Sequence, residues 1–229
     1  MLEYGKERIL IIAPHADDEV LGCGGLIEKA VKYGNDVKVV IAAVGDIVFE
    51  HKKDGETTLA QTRISELHDA LMHLGCSHYE ILYDDKESKL DTIPLNEIVT
   101  RLDKIIALFQ PTMVFIPYPS YHQDHQVLFQ ASMASLRPDP RKQIKLVAMY
   151  EYPLIVWQYP KINDVGELFL DISNSIELKL EAFCKHQSQM RDPKHLISPE
   201  NVKRWAAVRG MEAGVDYAEK YHLLRSVIL

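Results

Sequence analysis

Short apolar runs alternate with amphipathic stretches through the first two-thirds of the chain, and this alternation limits the fold more than any other feature. Residues 8–13, 36–43, 79–83, 112–117 and 144–150 read as strands. Between them, residues 18–33, 56–74, 95–109 and 124–136 place apolar side chains at helical spacing. Gly34 and Gly75 close the first two helices, and Pro111 stops the third. Strand and helix in turn predict βαβ units. The expected fold is therefore α/β: a Rossmann-like, doubly wound, mostly parallel sheet with helices on both faces. In the strand order 3-2-1-4-5, the first and fourth strands are neighbours where the winding reverses. Ligands bind there, outside the carboxyl ends of the strands.

The last third departs from this pattern. Residues 168–171 suit an edge strand, 173–189 a helix capped by serine, and 199–213 a further helix. Pro153, Pro160, Pro193 and Pro199 punctuate the stretch. It reads as a C-terminal lobe, residues 152–229, that completes a site on an α/β core of residues 1–151, all within one domain. At 229 residues and 47% apolar, the chain can build a sizeable core, and it has no apolar run long enough to span a membrane. The amino-terminal segment lacks the long apolar stretch and cleavage site of a signal peptide, so a cytoplasmic protein is expected. Lysine and arginine total 26 against 33 acidic residues, and the basic residues are scattered, which argues against nucleic acid as a partner. Cys23, Cys76 and Cys184 lie far apart and read as buried small residues in a reducing compartment.

Two motifs carry the chemistry. His15-Ala16-Asp17-Asp18-Glu19 follows the first strand, and His122-Gln123-Asp124-His125 follows the fourth. The predicted topology brings them together across one crevice. Histidine nitrogens plus a carboxylate suit a catalytic zinc, which takes three protein ligands and keeps a fourth position for water. His15 and Asp18 are three residues apart at a strand-to-helix turn, and His122 and His125 share a helical face. These are more candidates than three ligand places need, and hydrolysis uses the surplus as a base and an acid. A site of two histidines and one carboxylate also accepts ferrous iron and other divalent ions. The bland alternatives are acids that cap a helix and complement its dipole, and histidines that are merely structural. A dinucleotide site is disfavoured, because Gly22, Gly24 and Gly25 fall inside the helix and acids occupy the pyrophosphate position.

At these residues the chain resembles the LmbE-like, or PIG-L, deacetylases, a family that includes N-acetylglucosaminyl-phosphatidylinositol deacetylase and the bacillithiol and mycothiol biosynthetic deacetylases. Members carry His-Pro-Asp-Asp-Glu and His-Pro-Asp-His segments. Here alanine and glutamine replace the two prolines, while every residue with metal or proton chemistry is present. Lys179-Leu180-Glu181-Ala182, His186-Gln187-Ser188-Gln189, Arg209-Gly210 and Tyr217-Ala218-Glu219 extend the likeness towards the end of the chain. The resemblance implies that His15, Asp18 and His125 bind the metal and that Asp17 is the general base. His122 would stabilise the oxyanion or protonate the leaving amine, and Asp124 would orient a histidine.

The resemblance further implies hydrolysis of an N-acetyl group on a small amino sugar or sugar conjugate. It implies zinc or another divalent metal as cofactor and a homo-oligomeric assembly. Arg63, with Glu66 on the same helix, matches a family feature in which arginine binds a polar or anionic part of the substrate. Its plainer alternative is an ion pair with Glu66 or Glu56. Asp84 or Asp85, after the third strand, is placed to bond sugar hydroxyls. In some relatives a tyrosine near the second motif assists the oxyanion, and Tyr121 and Tyr118 stand nearby. His186, Ser188 and Gln189 either line the pocket or belong to the surface. Residues 46–58, which include His51, Lys52, Lys53, Asp54 and Gly55, follow the second strand at the ligand edge and suit a substrate lid. His51, His68, His73, His78, His195 and His222 read as structural or surface residues. Rival functions are a catalytically silent sugar-binding protein on the same fold and a thiol-conjugate amidase.

Overall fold

Strands that are apolar on both faces must be covered on both faces, and that requirement organises the molecule. The computed structural model describes residues 5–48, 57–158, 161–162 and 165–228. β1 (Arg8–Ala13) is fully buried from Ile9 onward, and it leads into α1 (Asp18–Lys32). β2 (Asp36–Ala43) follows, then the short strands β3 (Ile47–Val48) and β4 (Thr57–Thr58), which pair with each other. Next come α2 (Ala60–His73), β5 (Tyr79–Tyr83), α3 (Leu95–Phe109), β6 (Met113–Pro117), α4 (Gln123–Ser135) and β7 (Leu146–Tyr150). The chain continues through β8 (Gly166–Asp171), α5 (Ile176–Phe183), α6 (Pro199–Ala213) and β9 (Ala218–Ser226).

The large sheet has the order β5-β2-β1-β6-β7-β9-β8. Its first five strands are parallel and keep the expected 3-2-1-4-5 order, with β1 and β6 adjacent at the switch point. Gly34 and Gly75, with φ of 72° and 77°, take the left-handed conformation just beyond α1 and α2. Gln110 does the same after α3, at φ 49° without being glycine.

The last third differs from its sequence reading in three ways. β8 is an edge strand as expected, but β9 was not foreseen, and both run antiparallel along the same sheet beside β7. The apolar core likewise continues from the α/β elements into Phe183, Ile197, Val202 and Tyr221. The helix expected over 173–189 is cut short. It starts at Ile176, ends at Phe183, and is followed by a single tight turn at Gln187–Gln189. His186 leaves helical geometry, with ψ 58°, and buries its ring against Glu19. The third difference is Cys184, which is exposed, whereas Cys23 and Cys76 are buried as expected.

The glycines of α1 have a packing role. A Cβ on Gly22 would stand 2.1 Å from the Tyr150 ring, and one on Gly25 would stand 2.4 Å from Ile172. Their absence of side chain lets α1 approach β7 on one side and the C-terminal third on the other.

Candidate metal centre

The site forms where β1 and β6 end side by side. Each strand delivers its motif into the first turn of the helix that follows, so two short loops converge from neighbouring strands. His15, Asp17, Asp18, His122 and His125 line one cavity of about 210 Å³.

Asp17 occupies the N-cap position of α1, yet its carboxylate makes no capping bond to the helix amides. Its backbone has φ 145° and ψ −29°, a conformation that L-residues rarely adopt. Such strain typically costs about 1–3 kcal/mol and persists only where the surroundings impose it. Helix capping therefore does not explain Asp17. Burial and the neighbouring Asp18 carboxylate push its carboxyl up to about 7.

Asp18 and the two histidines form a tight triangle. Its Oδ2 lies 3.4 Å from Nδ1 of His15 and 3.3 Å from Nε2 of His125, and it accepts the backbone N–H of His15 at 3.2 Å. Burial works against the charge on Asp18, but His125 and His15 hold its carboxyl well below the usual range. On the far side of the His15 ring, Nε2 lies 2.8 Å from Oδ2 of Asp124. Asp124 is fully buried and also accepts the backbone N–H groups of Ser88 and Leu90 at 2.6 and 3.0 Å. With Nε2 donating to that carboxylate, Nδ1 of His15 presents a lone pair to another carboxylate. That arrangement calls for a cation between them, either a proton or a metal. In the metal-free protein it is a proton: burial opposes it, but Asp124 and Asp18 push His15 up to about 10.

The triangle fits a metal. Ligand atoms at tetrahedral corners, about 2.0–2.1 Å from a zinc ion, stand about 3.4 Å apart. The two measured edges match this spacing, and the three residues His15, Asp18 and His125 group as candidate ligands. A second grouping, His15 with His122 and Asp124, shares His15. There Asp124 already serves three donors, as a carboxylate that fixes a ligand histidine does.

His122 stands at the head of α4, where its Nδ1 accepts the N–H of Asp124 at 3.2 Å. A lone pair on Nδ1 puts the ring proton on Nε2. Burial, then the His15 and His125 rings, push His122 down to about 4, so it is neutral at physiological pH.

The remaining sequence candidates divide. Arg63 and Tyr121 line the cavity. Arg63 is 1% exposed, and among the described residues its ion pair is with Glu87 and not Glu66; Glu56 lies outside them. Tyr121 is half exposed at the mouth. Glu66 and Asp84 are not brought to the cavity. The Glu66 carboxylate is engaged by the N–H and hydroxyl of Ser188, and Asp84 is exposed beyond the end of β5. Of the suggested lid, residues 49–56, with His51, Lys52, Lys53, Asp54 and Gly55, lie outside the described residues; Ile47 on β3 lines the cavity.

Glu87, Tyr152 and Arg191 also line the cavity, and the sequence alone did not point to them. Glu87 ends an Asp84-Asp85-Lys86-Glu87 run, further from the strand than the acids expected at the site. Tyr152 lies two residues beyond β7, where the strand-end rule should have flagged it. Its hydroxyl donates to Ser120 at 3.1 Å, and its ring centroid is 5.5 Å from that of His125. Arg191 comes from an irregular segment with no readable signal, whereas Gln189 lines the cavity, the first of its two expected roles. A larger hollow of about 710 Å³ lies at the opposite ends of the strands, beside Arg8 and Thr112, away from both motifs.

The chain is similar to known proteins over most of its length. Over 97% of its length the chain is 26% identical to diacetylchitobiose deacetylase of Thermococcus kodakarensis, covering 85% of that protein. It is 24% identical to a probable N-acetyl-alpha-D-glucosaminyl L-malate deacetylase 2 of Bacillus cereus, across 80% of this chain and 84% of the other. The structure of N,N'-diacetylchitobiose deacetylase from Pyrococcus horikoshii, solved with an inhibitor, superposes with a TM-score of 0.77 at 25% identity, covering 95% of this chain and 84% of that one. The family model for GlcNAc-PI de-N-acetylase matches residues 10–136, more than half of the 229 residues and both motifs, and the chain belongs to this PIG-L family.

Proposed function

We propose that this protein is a metal-dependent hydrolase that removes the N-acetyl group from an amino sugar or a small sugar conjugate. The observation that carries the reading is the meeting of Asp18 with His15 and His125 at metal-ligand spacing, with Asp17 in the same cavity. Relatives that act on acetylated sugars support the choice of substrate class.

His15, Asp18 and His125 would hold the ion, with Asp124 fixing the His15 ring from behind. Bound there, a divalent ion supplies Lewis acidity towards an amide carbonyl and makes water acidic enough to lose its proton near neutral pH. Asp17 accepts that proton. Burial raises the proton affinity of its carboxyl, as a base working near neutral pH requires. His122, neutral and protonated on Nε2, donates a hydrogen bond to the oxygen that becomes negative as water adds to the amide carbon. The protonated Asp17 then returns its proton to the departing nitrogen, and the C–N bond breaks to give acetate and a free amine. At about 210 Å³ the cavity is smaller than the ~300–1,000 Å³ that holds drug-sized ligands, which suits one acylated sugar ring. Tyr121 at the mouth offers its ring and hydroxyl to that sugar.

The test is acetate release from a panel of N-acetylglucosamine, N,N'-diacetylchitobiose and N-acetylglucosaminyl malate by zinc-loaded protein, with an acylated thiol conjugate as the contrasting amide. Release from a sugar supports the reading. Release from the thiol conjugate alone favours the amidase. Saturable sugar binding without turnover under any divalent metal identifies a silent binding protein.

A further inference from the structure

The peptide group between Ala16 and Asp17 is held at both ends. Its carbonyl, on Ala16, accepts from Nη2 of Arg63 at 3.0 Å, and its N–H, on Asp17, donates to Oε2 of Glu19 at 2.9 Å. The two holding side chains are 1% and 0% exposed. Each is anchored in turn. Arg63 pairs with Glu87, whose carboxylate also accepts the N–H of Gly45 at 3.1 Å. The other carboxylate oxygen of Glu19 lies 3.1 Å from Nε2 of His186, which is fully buried.

The next peptide group is fixed as well, because the carbonyl of Asp17 accepts the N–H of Leu21 at 2.9 Å in the first turn of α1. With both flanking peptide groups anchored, rotation about the N–Cα bond of Asp17 has no freedom left. The outcome is the φ of 145°. Asp17 lines the cavity, whereas Glu19 and His186 do not. The hydrogen bond by which these two reach the cavity lining therefore ends on Asp17.

We infer that Glu19 and His186 are positioning residues that hold the Asp17 backbone in its strained conformation, so that the Asp17 carboxyl faces the substrate as the base. The inference rests on the deacetylase reading for what Asp17 does, and on the geometry for how Asp17 is held. Without the Glu19 oxygen, the buried Asp17 N–H loses its acceptor and nothing compensates the strain, so φ relaxes towards negative values and the carboxyl turns away. Misplacing a reacting group by about 1 Å can cost about 100-fold in rate. His186 acts one step further back. It fixes the Glu19 carboxylate and offsets its charge beside Asp17 and Asp18. Its own Nδ1 has no hydrogen-bond partner among the described residues, so its one side-chain hydrogen bond there is to Glu19.

Glu19→Gln keeps a side-chain oxygen for the Asp17 N–H, and Glu19→Ala removes it. Both variants and the wild type are loaded with zinc. Metal per chain and thermal midpoint are recorded, kcat and KM are measured for acetate release from N,N'-diacetylchitobiose, and crystal structures give the Asp17 φ. The expected Glu19→Ala protein loses about 100-fold in kcat, with KM within about threefold and metal content unchanged. Its Asp17 φ moves out of the positive region. Glu19→Gln is expected to recover kcat to within about tenfold of the wild type and to keep φ near 145°. Equal kcat in the two variants, or an Asp17 that keeps its φ in Glu19→Ala, overturns the inference. If Glu19→Ala does not fold, His186→Gln carries the test: a roughly tenfold drop in kcat alone supports the inference, and an unchanged kcat refutes it. A wild type silent on every sugar amide would sink the deacetylase reading, while the Asp17 φ in the variants would still decide the positioning claim.

Discussion

Nε2 of His125 lies 3.3 Å from Oδ2 of Asp18, so the head of α4 meets the head of α1 through one nitrogen and one oxygen. The two atoms belong to different motifs on adjacent strands, and neither motif builds a three-ligand site alone. His15 supplies the third atom, 3.4 Å from the same oxygen.

Removing a ligand and removing its support should give different results. His15→Ala deletes one of the three proposed ligands and should leave metal content well below one per chain. Asp124→Asn keeps the ligand but weakens the bond that orients it, and should lower zinc affinity by about 10–100-fold. Competition with a chromophoric chelator measures both. Unchanged affinity in Asp124→Asn would assign Asp124 to the loop amides of Ser88 and Leu90 alone.

Metal uptake should compete with protons in a defined direction. His15 is raised to about 10 in the metal-free protein, with burial opposing and Asp124 and Asp18 prevailing. Its Nδ1 proton must leave before a metal can take that place. Below the raised pKa, zinc affinity should therefore weaken by about tenfold per pH unit on this account, from about pH 9 down to about pH 6. Titrations at several pH values measure the slope, with proton release read in weakly buffered solution. An affinity independent of pH across that range would contradict the assignment of His15.

The C-terminal third should be essential to stability through one buried pair. Nζ of Lys179 lies 2.7 Å from Oε1 of Glu219, and both side chains are under 5% exposed. Glu219 also accepts from the N–H groups of Gly25 and Leu26 and from the Tyr221 hydroxyl. Lys179→Met strands that carboxylate in the interior and should cost about 3–5 kcal/mol in urea unfolding. Lys203→Met, which breaks the exposed pair with Glu177, should leave stability nearly unchanged. Equal effects of the two would refute the argument.

The parallel part of the fold and the meeting of His15, Asp18 and His125 were legible in the sequence for one reason. Strands β1, β2, β6 and β7 are buried on both faces, so they appear as uninterrupted apolar runs, and the motifs sit where those runs end. β9 was illegible because polar residues interrupt its buried Ala218 and Tyr221. Glu219 faces inward, satisfied by four donors, and Lys220, His222 and Arg225 erase any apolar run. The glycines of α1 could be excluded as a nucleotide loop, but their purpose appeared only with Tyr150 and Ile172 in place. Asp84 or Asp85 was expected at the site and Glu87 was not, since sequence does not show which acid of a loop turns inward. Arg63 was named for substrate, and its bond to the Ala16 carbonyl needed coordinates to be seen.

The most direct test of the central claim sets the wild type beside Asp17→Asn, measuring metal per chain by mass spectrometry and acetate release from an N-acetylated amino sugar. The account predicts about one divalent ion in both proteins and release by the wild type alone, because Asp17 moves protons while His15, Asp18 and His125 hold the ion. Equal release by both proteins, or a wild type that takes up no metal even after reconstitution, would contradict it.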